Sequence, residues 1–213
     1  MKVISADFVT SAAAGGTGTG IPRDGLPQVA MAGRSNVGKS TLINKLLRRQ
    51  VARTSAAPGK TRLANVFRIT VEGGGPGRWS LYLVDLPGYG YARGGDSAAE
   101  ELRAVAEAYF REAASQTFLL VDSRHPGLES DRQAYIWLTT LGVDPLIVAT
   151  KIDKLSRAER TRNLRELERI FGKPALPVSA ERGEGLETLW TTIARLGRGA
   201  DRKGKAETEG TTT

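Results

Sequence analysis

An octapeptide near the start of the chain combines glycines, a lysine and a serine at a spacing that can hold a polyphosphate. Residues 33–40, GRSNVGKS, match the pattern G-x-x-x-x-G-K-[ST]. Glycines let successive backbone N–H groups wrap a β-phosphate, and the start of a helix adds positive potential there. Lys39 can neutralise β- and γ-phosphate oxygens, and the Ser40 hydroxyl can reach Mg²⁺. The octapeptide therefore predicts a site for a nucleoside polyphosphate with Mg²⁺.

A second candidate lies in the run Asp85-Leu86-Pro87-Gly88, directly after an apolar segment. The carboxyl edge of a parallel sheet is where open α/β folds bind ligands. We expect Asp85 to hold Mg²⁺ through water and the backbone N–H of Gly88 to meet a γ-phosphate. The glycines and tyrosines that follow predict a loop that moves when this phosphate leaves.

The third candidate is a base-binding pair of motifs late in the chain. Asp153, in Thr150-Lys151-Ile152-Asp153, can accept hydrogen bonds from both N1–H and the 2-amino group of guanine, a donor pair that adenine lacks. The stem of Lys151 can pack over the base plane. Backbone groups of Val178-Ser179-Ala180 can meet the guanine O6. Each motif is common by itself, but their order along the chain favours a guanine nucleotide.

Alternating apolar runs and helical periods predict the elements that must position these residues. GGGPG at 73–77 predicts a hairpin that makes one pair of strands antiparallel. The remaining connections need crossover helices, so the pattern predicts a doubly wound α/β sheet. The predicted strands are 28–33, 65–71, 80–85, 117–122, 145–150 and 175–180. The predicted helices are Lys39–Arg48, Ala98–Ala113, Ser130–Leu141, a helix opened by the capping box Ser156–Glu159, and Gly185–Leu196.

Length and composition bound the classes of protein. The chain has 213 residues, which predicts an N-terminal extension at 1–26, one domain at 27–196 and a tail at 197–213, with flexible segments at 11–20 and 197–213. No cysteine and one histidine exclude disulfides, thiolate metal sites and multi-histidine sites. The longest uncharged stretch, 8–22, is too short and polar to span a membrane. We expect a cytoplasmic monomer.

The charge balance points to a polyanionic partner. Lys and Arg number 31 against 23 Asp and Glu, giving a net charge of +8 and a pI of about 10. Nucleic acid or the ribosome is the leading partner class, although a composition rich in Arg, Ala and Gly gives the same charge without one. Arg162, Arg165 and Arg169 share one side of a predicted helix. They form either an RNA-facing stripe or a solvated face.

Four segments together resemble the EngB/YihA/YsxC family of ribosome-biogenesis GTP-binding proteins. They are GRSNVGKST (33–41), TSAAPGKTRLAN (54–65), DLPGYGYA (85–92) and ATKIDKL (149–155). The resemblance implies a P-loop GTPase of the Ras-like fold, with a six-stranded, mostly parallel sheet, one antiparallel edge strand and helices on both faces. It implies GTP and GDP as ligands and action in assembly of the large ribosomal subunit, with rRNA or ribosomal proteins as partners and a role in septum formation.

The resemblance also assigns residues by position. Thr61 is similar to the switch threonine that joins Ser40 on Mg²⁺; spacing alone leaves Thr54 and Ser55 as rivals. Lys39, Thr61 and Asn36 are the implied catalytic residues, and Ser40, Thr61 and Asp85 the implied metal ligands. The implied nucleotide contacts are Gly33, Arg34, Ser35, Asn36, Val37, Gly38, Lys39, Ser40, Thr41, Gly59, Lys60, Thr61, Arg62, Leu63, Asp85, Leu86, Pro87, Gly88, Thr150, Lys151, Ile152, Asp153, Val178, Ser179 and Ala180.

Three positions bear on mechanism. Tyr89 stands where Ras-like proteins place a water-orienting glutamine, so unassisted hydrolysis should be slow, on the order of 10⁻⁴ s⁻¹ or below. Asn36 either helps to hold a K⁺ ion, as in similar GTPases, or is a simple loop residue. Thr150 replaces a common asparagine, which removes an amide that usually ties the base site to the P-loop. Two rival functions stay open: a nucleotide-gated interaction module in cell division with no ribosomal role, and a P-loop phosphotransferase.

Overall fold

Seven strands pair into one sheet in the order β1-β3-β4-β2-β5-β6-β7. The structure is a computed structural model that describes residues 1–12, 21–52, 64–74, 77–89, 104, 106–107, 109–110 and 115–195. The strands are β1 (Lys2–Ala12), β2 (Gln28–Gly33), β3 (Ala64–Glu72), β4 (Arg78–Asp85), β5 (Ser115–Asp122), β6 (Leu146–Thr150) and β7 (Leu176–Pro177).

The described helices follow the strands as a doubly wound fold requires. They are α1 (Lys39–Leu47), α2 (Glu129–Thr140), α3 (Arg157–Phe171) and α4 (186–195), with a 3₁₀ turn at Ile152–Lys154. The described residues between 104 and 110 are also helical. At the start of α3 the Ser156 hydroxyl accepts the Glu159 N–H and the Glu159 carboxylate accepts the Ser156 N–H, so the predicted capping box is confirmed.

The strand count of the sequence prediction is wrong by one. β3 is antiparallel to both neighbours, β4 and β1, so β1 covers the edge and the antiparallel strand lies second from it. The register of β1 shifts between Val3 and Ser5 and again between Phe8 and Thr10. These irregularities break the two-residue alternation by which a half-buried strand is recognised in a sequence. Thus β1 carries no clean strand signal.

Further predicted boundaries shift, among them those of the flexible segment at 11–20 and of the last strand. Ser11 and Ala12, predicted to be flexible, end β1, and the Ser11 hydroxyl donates to Asn65 Oδ1 at 2.8 Å. The remaining residues of that predicted segment, 13–20, lie outside the described residues, as does the tail at 197–213. β7 spans two residues rather than six, although the N–H of Val178 still donates to Ala149 of β6 just beyond it. In the described part of the chain, no helix has the length and apolar character needed to cross a bilayer.

Buried side chains line both faces of the sheet. Val29 and Met31 of β2 belong to one apolar cluster, which includes Leu42 and Leu46 of α1 and Ile193 of α4. Ala30 and Ala32 point to the other cluster, which includes side chains of α2 and α3. Helices therefore pack on both faces of the sheet. Because β2, β4, β5 and β6 are parallel to one another, their carboxyl ends lie at one edge of the sheet. This edge gathers Gly33, Asp85, Asp122 and Thr150.

Candidate nucleotide-binding site

The loop between β2 and α1 is shaped to expose backbone N–H groups. Val37 is fully buried and anchors the loop in the core. Gly38 precedes α1 with φ 106°, a left-handed conformation that favours glycine. Within the described residues no side chain caps this end of α1. Because the first N–H groups of a helix lack partners inside it, they remain available to an anion.

A lysine, a serine and an aspartate meet at this loop. The Lys39 ammonium donates to the carbonyl of Gly33 at 3.0 Å. Burial lowers the pKa of Lys39, and the nearby charge of Asp85 opposes this shift. Burial raises the pKa of Asp85 to about 6, although Lys39 and a hydrogen bond from Ser40 both act to lower it. The buried Asp85 Oδ1 has no partner among the described residues.

This donor set fits a divalent cation. Mg²⁺ prefers oxygen ligands such as carboxylates, hydroxyls and water. An ion between Ser40 and Asp85 would compensate the buried carboxylate that the protein alone leaves partly unsatisfied. Thr61, the other predicted ligand, lies outside the described residues, together with Gly59, Lys60, Arg62 and Leu63, and with the rival hydroxyls Thr54 and Ser55.

The segment after β4 lies directly against residues 33–40, the phosphate-binding loop or P-loop. The Ser35 N–H donates to the carbonyl of Tyr89 at 3.0 Å. A Cβ atom placed on Gly88 would lie 2.9 Å from Ser35 Oγ and 3.1 Å from Lys39 Nζ, so only glycine fits at this approach. Leu86 is buried and its N–H donates to Met31. The predicted γ-phosphate contacts are therefore packed together rather than held apart.

The base-binding end is hydrogen-bonded within the protein. The buried Ser179 hydroxyl donates to Asp153 Oδ1 at 2.7 Å and itself accepts the Arg182 N–H at 3.0 Å. Burial alone would raise the pKa of Asp153, but hydrogen bonds from Ser179 and Lys154 lower it overall. Val178 donates its N–H to Ala149 and accepts from Ile152, which fixes the backbone beside Ala180. These hydrogen bonds favour the ionised form of the Asp153 carboxylate, which is the form that can accept hydrogen bonds from N–H donors.

Two side chains tie this end to the P-loop. The Thr150 hydroxyl lies 2.8 Å from the carbonyl of Val37 and 3.1 Å from that of Val121. Lys151, with φ 59°, donates to the carbonyl of Asn36 at 2.7 Å and to Asp122 at 2.9 Å. Thr150 has no amide, as its sequence shows, but its hydroxyl reaches the same loop through the carbonyl of Val37.

A buried carboxylate that was not predicted from the sequence, Asp122, organises this edge. Asp122 is fully buried and accepts two hydrogen bonds from the Arg124 side chain, at 3.0 and 2.8 Å, besides that of Lys151. Burial would raise its pKa, but the bonds from Arg124 and Lys151 hold the pKa well below its usual range. The missed signal was available: Asp122 ends the run TFLLVD just as Asp85 ends SLYLVD.

A second missed carboxylate is Asp131, in the first turn of α2. It is 1% exposed, and its Oδ1 accepts the Tyr89 hydroxyl at 3.2 Å. Its Oδ2 has no partner among the described residues, and neither has Nε of Arg34, whose charge lies close by. Burial raises the pKa of Asp131 in spite of both neighbours. No motif in the sequence marks this residue.

The described part of the predicted site thus comes together at one edge of the sheet. The P-loop, Asp85 to Gly88, Thr150 to Asp153 and Val178 to Ala180 all follow the ends of β2, β4, β6 and β7. A phosphate-binding loop, a candidate Mg²⁺ pair and a carboxylate for guanine on a mostly parallel sheet define the class of P-loop GTPases.

Comparison with known proteins agrees with this class. Residues 28–151 match the family described as 50S ribosome-binding GTPase. The probable GTP-binding protein EngB of Pelotomaculum thermopropionicum is 42% identical over 203 residues, covering 92% of this chain and 96% of the relative. A crystal structure of a probable GTP-binding protein engB is 25% identical, with a TM-score of 0.59, covering 80% of this chain and 98% of that one. The chain belongs to the EngB family of GTP-binding proteins.

A further solved structure shares the fold. Era, crystallised with MgGDPNP and nucleotides 1506–1542 of 16S ribosomal RNA, is 26% identical with a TM-score of 0.65. The match covers 80% of this chain and 56% of the Era chain. The comparisons confirm the predicted family, the P-loop GTPase fold and GTPase activity as its class.

Proposed function

We propose that this protein is a molecular switch that binds GTP with Mg²⁺, hydrolyses it slowly and acts in assembly of the large ribosomal subunit. One observation carries the proposal: two clusters of polar side chains lie at the same edge of the sheet. One contains Lys39, Ser40 and Asp85, and the other contains Asp153 and Ser179. Lys151 connects them, since it lies close to Asp153 in the chain and donates to the carbonyl of Asn36. These two clusters match the two ends of a guanine nucleotide.

The roles follow from the chemistry of each group. N–H groups of the P-loop and the Lys39 ammonium bind the β- and γ-phosphates, and Asp153 selects guanine. Ser40 and Asp85, with Thr61, would hold Mg²⁺, which supplies positive charge to the phosphate oxygens when bound. Asn36, with φ 63°, sits at the turn of the loop, where its side chain would help to hold K⁺.

Slow hydrolysis has a structural rationale. Tyr89 has no amide to orient a water, and its hydroxyl is already committed to Asp131. A partner or a K⁺ ion would therefore have to complete the catalytic arrangement. The expected signature is a turnover rate that rises when KCl replaces NaCl, or on addition of the partner.

The partner class rests on charge and on family. The family that matches residues 28–151 is described as ribosome-binding, and the net charge of +8 suits a polyanion. Arg162, Arg165 and Arg169 are exposed on α3. Arg169 pairs with Glu166 in an exposed ion pair of the kind that contributes little to stability. These arginines can therefore be spared for RNA contacts.

Pelleting through sucrose with purified 50S and 30S particles tests the function. The protein should pellet with 50S alone, in a GTP analogue and not in GDP. Ser40→Ala should abolish the nucleotide dependence. If neither particle binds while GDP binding is intact, the ribosomal role is wrong. That result would favour the rival function, a nucleotide-gated interaction module in cell division.

The arginine stripe has a matched control on the sheet. Changing Arg162, Arg165 and Arg169 to Gln should weaken 50S binding. The slope of the logarithm of the binding constant against the logarithm of salt concentration should also fall, by about one unit for each lost phosphate contact. Changing the exposed residues Lys2, Arg68 and Arg78 to Gln removes the same charge from β1, β3 and β4. Equal losses in both triple variants would show that only net charge matters.

A further inference from the structure

The segment Gly88-Tyr89 lies against Ser35 and Lys39 of the phosphate-binding loop. Lys39 and the N–H of Gly88 both have to donate to γ-phosphate oxygens, each across about 2.9 Å. In the structure a Cβ on Gly88 would already lie 3.1 Å from Lys39 Nζ and 3.0 Å from the Ser35 nitrogen. A phosphate between Gly88 and Lys39 needs them farther apart. A diphosphate makes no such demand.

Two bonds of Tyr89 hold this closed arrangement. Its carbonyl accepts the Ser35 N–H at 3.0 Å, and its hydroxyl donates to Asp131 at 3.2 Å. The second bond reaches a carboxylate that is 1% exposed and set in the first turn of α2. Hydrogen bonds to a buried charged group are stronger than those between neutral groups. Tyr89 is thus fastened both to the P-loop and to a rigid helix.

The surroundings also offer Asp131 a second interaction. Oδ2 of Asp131 and Nε of Arg34 are both buried without a hydrogen-bond partner in the described structure, and the two charges attract. When Tyr89 leaves, Asp131 keeps this cation nearby. An arrangement without the tyrosine bond would therefore leave the Asp131 carboxylate beside a cation, which lowers the cost of opening.

We propose that Tyr89 and Asp131 form a latch that makes the nucleotide site favour GDP over GTP. The proposal rests on the nucleotide roles of Lys39 and Gly88 proposed above. The γ-phosphate must break the Ser35–Tyr89 and Tyr89–Asp131 bonds to enter, so part of its binding free energy is spent on opening. Tyr89 and Asp131 thereby set specificity between the two nucleotides.

Isothermal titration of the full chain with GDP and with a non-hydrolysable GTP analogue, both with Mg²⁺, tests the latch. Tyr89→Phe removes only the hydroxyl, and should raise analogue affinity about 10-fold while GDP affinity stays within about 2-fold. Asp131→Ala should shift the ratio in the same direction. The double variant should shift it no further than the larger single change, since both remove one bond.

Tyr82→Phe is the matched control. Tyr82 is buried on β4, outside the nucleotide site, and its hydroxyl likewise donates to a carboxylate, that of Asp24, at 2.8 Å. This variant should leave the GDP to analogue ratio unchanged. Equal ratios in wild type, Tyr89→Phe and Asp131→Ala, with GDP still bound, would overturn the latch alone. Absence of GDP binding in the wild type would overturn the proposed function itself.

Discussion

The two ends of the candidate site differ in how well their buried polar groups are satisfied. At the base end, Thr150, Lys151, Asp153 and Ser179 all have hydrogen-bond partners. At the phosphate end, three buried atoms have none within the described residues: Arg34 Nε, Asp85 Oδ1 and Asp131 Oδ2.

This difference indicates that the base end is preformed, whereas the phosphate end is completed only when a ligand binds. A buried polar atom without a partner costs free energy, so it persists where another state or a ligand satisfies it. The base end gains little from rearrangement. The phosphate end would gain from the proposed cation at Asp85 and from the proposed change of partner at Asp131.

The largest effect is expected at the base end. Asp153→Ala removes the acceptor that we propose for two charge-assisted hydrogen bonds from guanine, so GDP affinity should fall about 100-fold or more. The preference for GDP over inosine diphosphate, which lacks the 2-amino group, should vanish as well. Titration calorimetry measures both. Asp144→Ala, a change of an exposed carboxylate that pairs with Lys173, is the control and should leave both values intact. If the Asp153→Ala variant still preferred GDP over inosine diphosphate, that result would contradict a preformed base end.

Opposite pH dependences should distinguish Asp122 from Asp85. The lowered pKa of Asp122 stabilises the fold above about pH 4, and this contribution is lost as pH falls further. The pKa of Asp85 is raised to about 6, so its ionisation costs stability near neutral pH and the cost is relieved as pH falls through 6.

Urea unfolding of the nucleotide-free protein between about pH 7 and pH 3 compares the two asparagine variants. Asp122→Asn should destabilise by about 3 kcal/mol near pH 7, because Arg124 and Lys151 lose a charged partner. Asp85→Asn should stabilise by about 1–3 kcal/mol at the same pH, and this gain should shrink below pH 6. Destabilisation by both changes would remove the distinction between the two ends.

The smallest effects compare two buried threonines. Thr150→Val leaves the Val37 carbonyl without its donor and should cost about 1–3 kcal/mol in urea unfolding. Thr117, on β5, is 1% exposed and its hydroxyl has no partner within the described residues. Thr117→Val, the isosteric control, should be neutral or stabilise by about 1 kcal/mol. Equal costs for the two valines would show that the tie to the P-loop is unimportant.

Most of the sheet could be predicted because its strands are short apolar runs bounded by turn residues. Gln28–Gly33 has the predicted bounds, and Leu146–Thr150 begins one residue after its predicted start. β1 could not be predicted, since its irregular register hides the alternation. Local composition reveals a strand only when the ladder is regular.

The residues of the candidate site could likewise be predicted only where a local sequence pattern marks them. The positions of the P-loop, Asp85, Asp153 and Ser179 could be predicted because each lies within a few residues of a recognisable strand end. Asp131 could not be predicted, because its contact with Tyr89 joins residues 42 apart and depends on how α2 packs. The binding roles of all these residues stay predictions, as does the division of the chain at residue 27.

Amide hydrogen exchange of the wild-type protein tests the central claim most directly. Exchange is compared in the nucleotide-free, GDP-bound and GTP-analogue-bound states. The account predicts that peptides containing residues 150–155 gain the same protection from both nucleotides, while peptides containing residues 34–36 and 86–89 differ between them. Equal protection of 86–89 in the two nucleotide states, or a difference confined to 150–155, would contradict a preformed base end and a latched phosphate end.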